Sequence, residues 1–463
     1  MTTIRIGIAL LAATLVCAGS ASATTGWTQV TIDASDGTPL ACAYLIPAGN
    51  TPPGGWPGVI LFHGLSGSRY TMRTWGAALA QAGLASLACD ARGTGGSGGT
   101  FGFDGPREAQ DARDLFDWFA TRSDISDTEI GALGRSLGGG AVWNAAAAGV
   151  PFKAIVPVIT WTSLGAGYNP NRVPKAGLLA PLFAQVPGSR WDPSLAQARD
   201  DLLAGSVTAA VTTFEAARSA RPELPSLAVP TLMLQGRHDF LFDMDQALTA
   251  YSALAGPKRL YLGDLGHNPA PRPVAEQATY VAEAVAWFRA YLAGGLQVAG
   301  GVVLAHDPWD GKTSYFTGIP PTRRVSAKLP GTTALSSPGA SASRSVQLAG
   351  GPLETFGRCS LTVRYSTGAA GSWSRLVAEV FVRGVSTPVT LGAAPVTAGT
   401  GVVDIPLSDQ AVLLPRGKPL RVVIGPGFAP SVYGAPSSAP AGSSITIRKV
   451  TLNLSVLKRP VSK

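Results

Sequence analysis

Ser136 stands in Gly134-Arg135-Ser136-Leu137-Gly138, directly after the apolar run Ile130-Gly131-Ala132-Leu133. This is G-x-S-x-G at the end of a strand. Leu137 to Ala148, rich in Gly and Ala, reads as a tightly packed helix. A sharp strand-to-helix turn forces the serine into a strained backbone conformation and lifts its hydroxyl clear of the sheet. The flanking glycines leave room where side chains would collide across the turn. The chemistry such a serine performs is nucleophilic attack on a carbonyl carbon.

A hydroxyl needs an adjacent base, and the base needs an orienting group. The expected chain order is Ser, then Asp or Glu, then His. Val229-Pro230-Thr231-Leu232-Met233-Leu234-Gln235 reads as a buried strand that runs into Gly236-Arg237-His238-Asp239. The next apolar run, Arg259-Leu260-Tyr261-Leu262, closes with Gly263-Asp264-Leu265-Gly266-His267. Parallel strands bring their carboxyl ends to one sheet edge, where ligand crevices form. Asp239 and His267 are therefore expected beside Ser136. Asp264 is the rival acid, less well placed because it shares the base's own loop. The chain has four histidines. His63 reads as a loop-shaping residue, His238 neighbours the acid, and His306 has no supporting context. His267 is the base by position and elimination.

Negative charge develops on the carbonyl oxygen in the transition state and needs donors. The Leu137 backbone N–H is one candidate. The loop His63-Gly64-Leu65-Ser66-Gly67 follows the strand Gly58 to Phe62 and is of the HG type, so the Leu65 N–H is the second. Tyr70 is a candidate hydroxyl donor and pocket residue.

These loops must hang from alternating strands and helices. Trp27 to Ile32 and Leu40 to Ile46 read as a hairpin across Ser35-Asp36-Gly37. Strands follow at Gly58 to Phe62, Leu84 to Cys89, Ile130 to Leu133, Ala154 to Ile159, Thr231 to Gln235 and Leu260 to Leu262. Helices are expected over Thr71 to Ala82, Glu108 to Thr121 (Asp111, Asp114 and Asp117 on its wetter side) and Val274 to Leu292. This alternation implies an α/β fold with a mainly parallel sheet covered on both faces. About seventy residues, Thr160 to Ala228, interrupt it and read as a helical cap over the nucleophile. Trp161 and Tyr168 are candidates for lining an acyl pocket, against the plainer role of core packing. Gly93-Thr94-Gly95-Gly96-Ser97-Gly98 fits G-x-G-x-x-G, but no helix opens behind it, so no dinucleotide cofactor is expected. Asp90 and Arg92 read as a structural pair beside it.

After Gly295 helical signals vanish and Val, Thr, Gly, Ser and Pro dominate. Alternating runs at Ser360 to Tyr365, Arg375 to Val382, Leu420 to Ile424 and Ser444 to Arg448 indicate an all-β sandwich, a jelly roll. The expected division is 1–23 signal peptide, 24–295 hydrolase domain with its cap, and 296–463 β-domain.

At 463 residues the chain exceeds one ordinary domain, and 46% hydrophobic content supports substantial cores. Arg5 precedes an apolar run from Ile6 to Ala18, followed by Ala21-Ser22-Ala23. That is the pattern of a secretory signal cleaved after Ala23, too short to span a bilayer comfortably. Val16 is bulky for lipoprotein processing at Cys17. A secreted or periplasmic protein is expected, with no later membrane segment. The net charge is +9 with Lys and Arg scattered, so no nucleic-acid partner is indicated, and no metal or cofactor. Of Cys42, Cys89 and Cys359, the first two lie on expected strands and either pair or stay as buried thiols.

With these residues placed, the chain resembles the Xaa-Pro dipeptidyl-peptidase and cocaine-esterase-like serine hydrolases. The likeness rests on Asp36-Gly37 before Leu40, Gly134-Arg135-Ser136-Leu137-Gly138, Gly236-Arg237-His238-Asp239, Gly266-His267 and the β-domain. Trp161-Thr162-Ser163-Leu164 with Pro174-Lys175 looks like the start of the family's cap. The resemblance implies an α/β-hydrolase domain, a helical cap, a jelly roll, and a Ser136–Asp239–His267 triad acting on esters, amides or prolyl peptides. One departure is the HG-type loop, which carries no tyrosine before Tyr70, where the family often supplies an oxyanion tyrosine. The leading expectation is an exported hydrolase of esters or amides. A prolyl or aminoacyl peptidase is the alternative, for which the cap offers only Asp192, Asp200, Asp201 and Glu215 as amine anchors. An acyltransferase using the same three residues is a third reading. A β-domain that tethers the protein to a polymer or envelope glycan belongs to another class.

Overall fold

The structure is a computed structural model that describes residues 26–267, 273–336, 341–368, 373–427, 431–434, 439 and 442–462. The expected signal segment, with Cys17 and the cleavage site, lies outside the described residues.

Ten strands form the central sheet: β1 (Thr28–Asp33), β2 (Pro39–Leu45), β3 (Trp56–Phe62), β4 (Ala85–Cys89), β5 (Ile125–Arg135), β6 (Ile155–Val158), β7 (Thr231–Gly236), β8 (Lys258–Gly263), β9 (Gly301–Ala305) and β10 (Thr313–Phe316). Their spatial order is β1-β2-β4-β3-β5-β6-β7-β8-β9-β10. From β4 to β9 every neighbour is parallel, which requires crossovers that place helices on both faces. β5 sits centrally, and Ile130 to Gly134 is buried without interruption because both faces are covered. β1 and β2 pair antiparallel, as the hairpin signal implied.

The covering helices are α1 (Arg73–Gln81), α2 (Pro106–Ala120) and α3 (Leu137–Ala147), then the cap helices α4 (Leu164–Tyr168), α5 (Ala176–Phe183), α6 (Pro193–Leu203) and α7 (Ala209–Ala216), then α8 (Met244–Ala253) and α9 (Val274–Leu292). Among the described residues, no helix is long and apolar enough to cross a membrane.

The hydrolase sheet does not end near Gly295, where the β-domain was expected to begin. β9 pairs parallel with β8, and Val302, Val303 and Leu304 are buried in its core. The loss of helical periodicity marked a return to strand rather than a change of domain. Two layers of antiparallel strands follow β10. One contains β11 (Thr322–Leu329), β12 (Thr333–Ser336), β15 (Cys359–Thr367), β18 (Thr400–Leu407) and β21 (Ser444–Leu457), the other β13 (Ala342–Val346), β16 (Arg375–Val382), β17 (Thr390–Pro395) and β20 (Leu420–Gly425). A small ribbon joins β14 (Leu353–Glu354) to β19 (Leu413–Leu414). Inward-facing residues of both layers, among them Leu361, Val363, Val380, Val422 and Leu452, fill one core.

Cys42 and Cys89 lie opposite each other on β2 and β4 and form a disulfide, while Cys359 is free and buried. The pairing expected for Asp90 and Arg92 is different. The Asp90 carboxylate takes Arg69, and Arg92 instead pairs with Asp111 at 2.6 Å and Asp36 at 3.0 Å. Asp111 is therefore buried rather than on a wet helix face, because it is the counter-ion of a buried guanidinium.

Candidate active site

Ser136 occupies the junction of β5 and α3 with φ 55° and ψ −116°, a conformation that costs an L-residue on the order of 1–3 kcal/mol. The turn is held from both sides: Ser136 N–H donates to the Val158 carbonyl, and Thr160 Oγ1 donates to the Ser136 carbonyl at 2.8 Å. Gly138 is needed because a Cβ there would lie 2.1 Å from the Phe62 carbonyl oxygen. That close approach docks α3 on the end of β3.

Ser136 Oγ is 2.7 Å from His267 Nε2, and His267 Nδ1 is 2.8 Å from Asp239 Oδ2. With Nδ1–H donating to the carboxylate, the Nε2 lone pair faces the serine hydroxyl. Asp239 has no exposed surface. Its Oδ1 accepts the Leu241 N–H at 2.9 Å and the Phe242 N–H at 3.2 Å, and its Oδ2 also accepts the His267 N–H at 3.2 Å. Four donors thus fix the carboxylate. The loops after β7 and β8 touch at Gly236, where a Cβ would meet the Leu265 carbonyl oxygen at 1.9 Å.

The other candidates are placed elsewhere. Asp264 faces His238 rather than His267, its Oδ1 lying 2.9 Å from His238 Nδ1, while His238 Nε2 is 3.3 Å from Asp307 Oδ2. Burial alone would depress His238, but the nearby Asp264 and Asp307 carboxylates outweigh it and hold the imidazole above its usual value. The three groups lie close enough together to suggest a metal cluster. Each ring nitrogen is within ion-pair distance of one carboxylate, but neither is aligned for a hydrogen bond. His63 Nδ1 donates to the Gly64 carbonyl at 2.8 Å, and His63 Nε2 accepts the Ala91 N–H at 2.9 Å. Burial pushes His63 down, and both its nitrogens are used in holding the loop. His306 bonds locally to Asp310.

That loop lies against the serine: a Cβ on Gly64 would be 3.3 Å from the Arg135 carbonyl oxygen and 3.6 Å from Ser136 Cβ. Among the described residues, neither the Leu65 nor the Leu137 backbone N–H donates to a protein acceptor. Tyr70 is 45% exposed, and its hydroxyl bonds Arg69 at 2.8 Å and Gln29 Oε1 at 3.3 Å. Arg69 and Arg73 lie over its ring at 4.4 and 4.7 Å. Its bonds are made toward β1, not toward Ser136.

Residues 36–269 match the X-Pro dipeptidyl-peptidase family (S15). The chain belongs to this family. As an S15-family member it is a serine hydrolase of ester or peptide bonds. No curated protein matches the chain in sequence. A CocE/NonD family hydrolase from Staphylococcus aureus superposes with a TM-score of 0.71 at 15% identity, over 93% of each chain. An alpha-amino acid ester hydrolase gives 0.71 at 14% identity, covering 98% of this chain and 100% of that one. An aminopeptidase from a marine sediment archaeon, Thaumarchaeota archaeon, gives 0.67 at 14%, over 93% and 97%. At such identities the likeness is one of fold.

In this S15-family protein aromatic residues of the cap pack with Phe103 and Phe242 into one cluster that reaches His267. Trp161 is fully buried, donates its indole N–H to the Arg218 carbonyl at 2.7 Å, and stacks on Phe103 at 5.7 Å. Phe242 links Trp161 at 4.9 Å to His267 at 5.4 Å. Leu137 belongs to the same cluster, and Leu65 packs against it half-buried. Trp161 and Tyr168 are thus packing residues of the cluster, with Phe242 the ring that reaches the imidazole. Of the cap acids, Asp192 caps α6, Asp200 pairs with Arg199, and Asp201 accepts from Thr208. Glu215 is buried and accepts from Asn169, and burial pushes it up to about 7.

Two side chains hold the acid loop, Lys175, which the sequence marked only as part of the cap entry, and Gln410, which no motif marked. Lys175, from the cap, is fully buried and donates to the Phe240 carbonyl at 2.7 Å and the Leu241 carbonyl at 3.1 Å. Gln410, from the β-domain, donates to the Asp239 carbonyl at 2.7 Å. No local pattern marks a residue whose role is set by a tertiary hydrogen bond.

Proposed function

We propose that Ser136, His267 and Asp239 are the catalytic triad of an exported hydrolase that cleaves carboxylic esters or amides through an acyl-enzyme. The observation that carries this reading is the 2.7 Å and 2.8 Å pair of contacts from Ser136 to His267 and from His267 to Asp239, on a strained turn. Ser136 Oγ attacks the carbonyl carbon as His267 Nε2 takes its proton. The resulting oxyanion lies at the N-terminus of α3, where the Leu137 N–H and, from the neighbouring loop after β3, the Leu65 N–H act as donors. The carbonyl re-forms, the leaving group departs with the proton from His267, and water repeats the sequence to free the acid.

The ring of Phe242 against His267, backed by Trp161 and Tyr168, favours an apolar acyl group. An aminoacyl substrate would need an anionic anchor. The cap aspartates are engaged in local structure, and burial leaves Glu215 only about half ionised near pH 7. Export is supported by the Arg5, Ile6 to Ala18 and Ala21-Ser22-Ala23 pattern and by the Cys42–Cys89 disulfide, which persists in oxidising compartments. The test compares p-nitrophenyl esters of straight-chain acids with p-nitrophenyl esters of proline and other amino acids, so that only the acyl group differs. Straight-chain acyl esters turned over at least tenfold faster support the reading, and a preference for the prolyl or aminoacyl esters rejects the acyl assignment.

A further inference from the structure

Segment Ser408 to Ala411, just after β18, runs along the loop that carries Asp239. It is bonded there at every level. Gln410 Nε2 donates to the Asp239 carbonyl at 2.7 Å, the Ala411 N–H donates to the Arg237 carbonyl, and the Met244 N–H donates to the Asp409 carbonyl. Arg237, which precedes Asp239 by two residues, returns the contact: its Nε donates to the Ala411 carbonyl at 2.7 Å, and its guanidinium also reaches the Ala305 carbonyl and Glu354.

Glu354 is itself held from outside the hydrolase sheet. It accepts the Val461 N–H at 2.7 Å, the Ser462 N–H at 3.0 Å and the Ser462 hydroxyl at 2.8 Å. Ser462 Oγ in turn accepts the Asp307 N–H at 2.8 Å, and Asp307 is the partner of His238. Both residues that lead into Asp239 are therefore anchored by charge: Arg237 to the β-domain's Glu354, and His238 to Asp307, which Ser462 and Leu413 hold. A carboxylate that must meet His267 at hydrogen-bond distance tolerates only small displacements.

We propose that the β-domain supplies positioning residues for the Asp239–His267 pair, with Gln410 acting directly on the Asp239 main chain and Ser462 acting through Glu354 and Arg237. The β-domain is then part of the catalytic apparatus rather than a tether. This rests on the triad reading above. A displaced Asp239 stabilises the His267 imidazolium less, so the base protonates at lower pH and the reaction slows without a change in substrate binding.

The experiment uses the full chain and a p-nitrophenyl ester. Gln410→Met removes the amide donor at nearly constant size, and Ser462→Ala removes one hydroxyl. Rates are expressed per active site, counted by fluorophosphonate labelling, so that misfolded protein does not contribute. For Gln410→Met, kcat per site should fall about tenfold, the weight of one hydrogen bond in the transition state, with KM within about twofold. The acid limb of kcat/KM against pH should move to lower pH. Ser462→Ala should shift both in the same direction by less, and it decides the matter if Gln410→Met does not fold. Unchanged kcat per site and an unmoved acid limb would overturn the proposal. A wild-type protein that is not labelled at Ser136 would instead overturn the triad reading on which it rests.

Discussion

The Arg237 guanidinium and the Glu354 carboxylate meet at 2.6 Å with neither side chain exposed, which joins the loop before Asp239 to the β-domain. Two charges taken out of water are tolerated only when each is fully bonded, and here every remaining partner is a backbone or hydroxyl group.

Glu354→Gln leaves the guanidinium buried without a counter-charge. Stability to urea should drop by about 3–5 kcal/mol. Equilibrium unfolding followed by tryptophan fluorescence measures it, and a loss under about 1 kcal/mol would mean that water or another acid replaces the carboxylate.

Asp239→Asn keeps the shape of the acid but inverts one donor–acceptor relation with His267 Nδ1. kcat should fall about 10⁴-fold, as expected when the wrong imidazole tautomer is favoured. Steady-state ester hydrolysis reads this directly, with circular dichroism to show an unchanged fold.

Opening the Cys42–Cys89 disulfide releases a loop spanning 47 residues. The chain-entropy relation puts its contribution at about 4 kcal/mol. Thermal unfolding with and without reductant should show a clear fall in Tm. Equal midpoints would show that packing of β2 on β4 suffices.

Asp243 and Asp409 lie together where α8 meets the β-domain, with the Asp409 N–H donating to Asp243 Oδ2 at 3.1 Å. Burial holds both carboxyls above their ordinary range; at Asp409 the charge of Asp243 adds to it, and at Asp243 the charge of Asp245 adds to it against the opposing Lys175 ammonium. A carboxyl whose pKa rises on folding costs nothing while protonated. The cost grows as pH climbs from the unfolded carboxylate range and is complete above the raised value. This pair should therefore weaken the fold progressively from about pH 4 upward. Asp409→Asn should flatten the fall of Tm between acid and mildly alkaline pH, and an unchanged slope would contradict the assignment.

Much of this was readable from local pattern. The α/β alternation, the cap as an interruption and the β-sandwich follow from periodicity, and the Ser136, Asp239 and His267 loops from strand ends with turn residues. The domain boundary was misplaced because β9 is a short apolar run like those of the sandwich, and only its pairing with β8 assigns it to the hydrolase sheet. Arg92 was paired with Asp90, its near neighbour in sequence, while the fold brings it Asp111 from α2. Gln410 and Glu354 carry no motif, and Pro174-Lys175 marked the cap without the role of its lysine, since the partners are main-chain groups or charges far along the chain. Tyr70 looked available as a donor, but its orientation toward Gln29 depends on side-chain packing that spacing does not encode.

The central claim is that Ser136 is an activated nucleophile. It is tested most directly by labelling the purified protein with a fluorophosphonate and mapping the modified peptide. The account predicts one adduct, on Ser136, that His267→Ala abolishes. A folded protein that takes no label, or takes it at another serine, would contradict it.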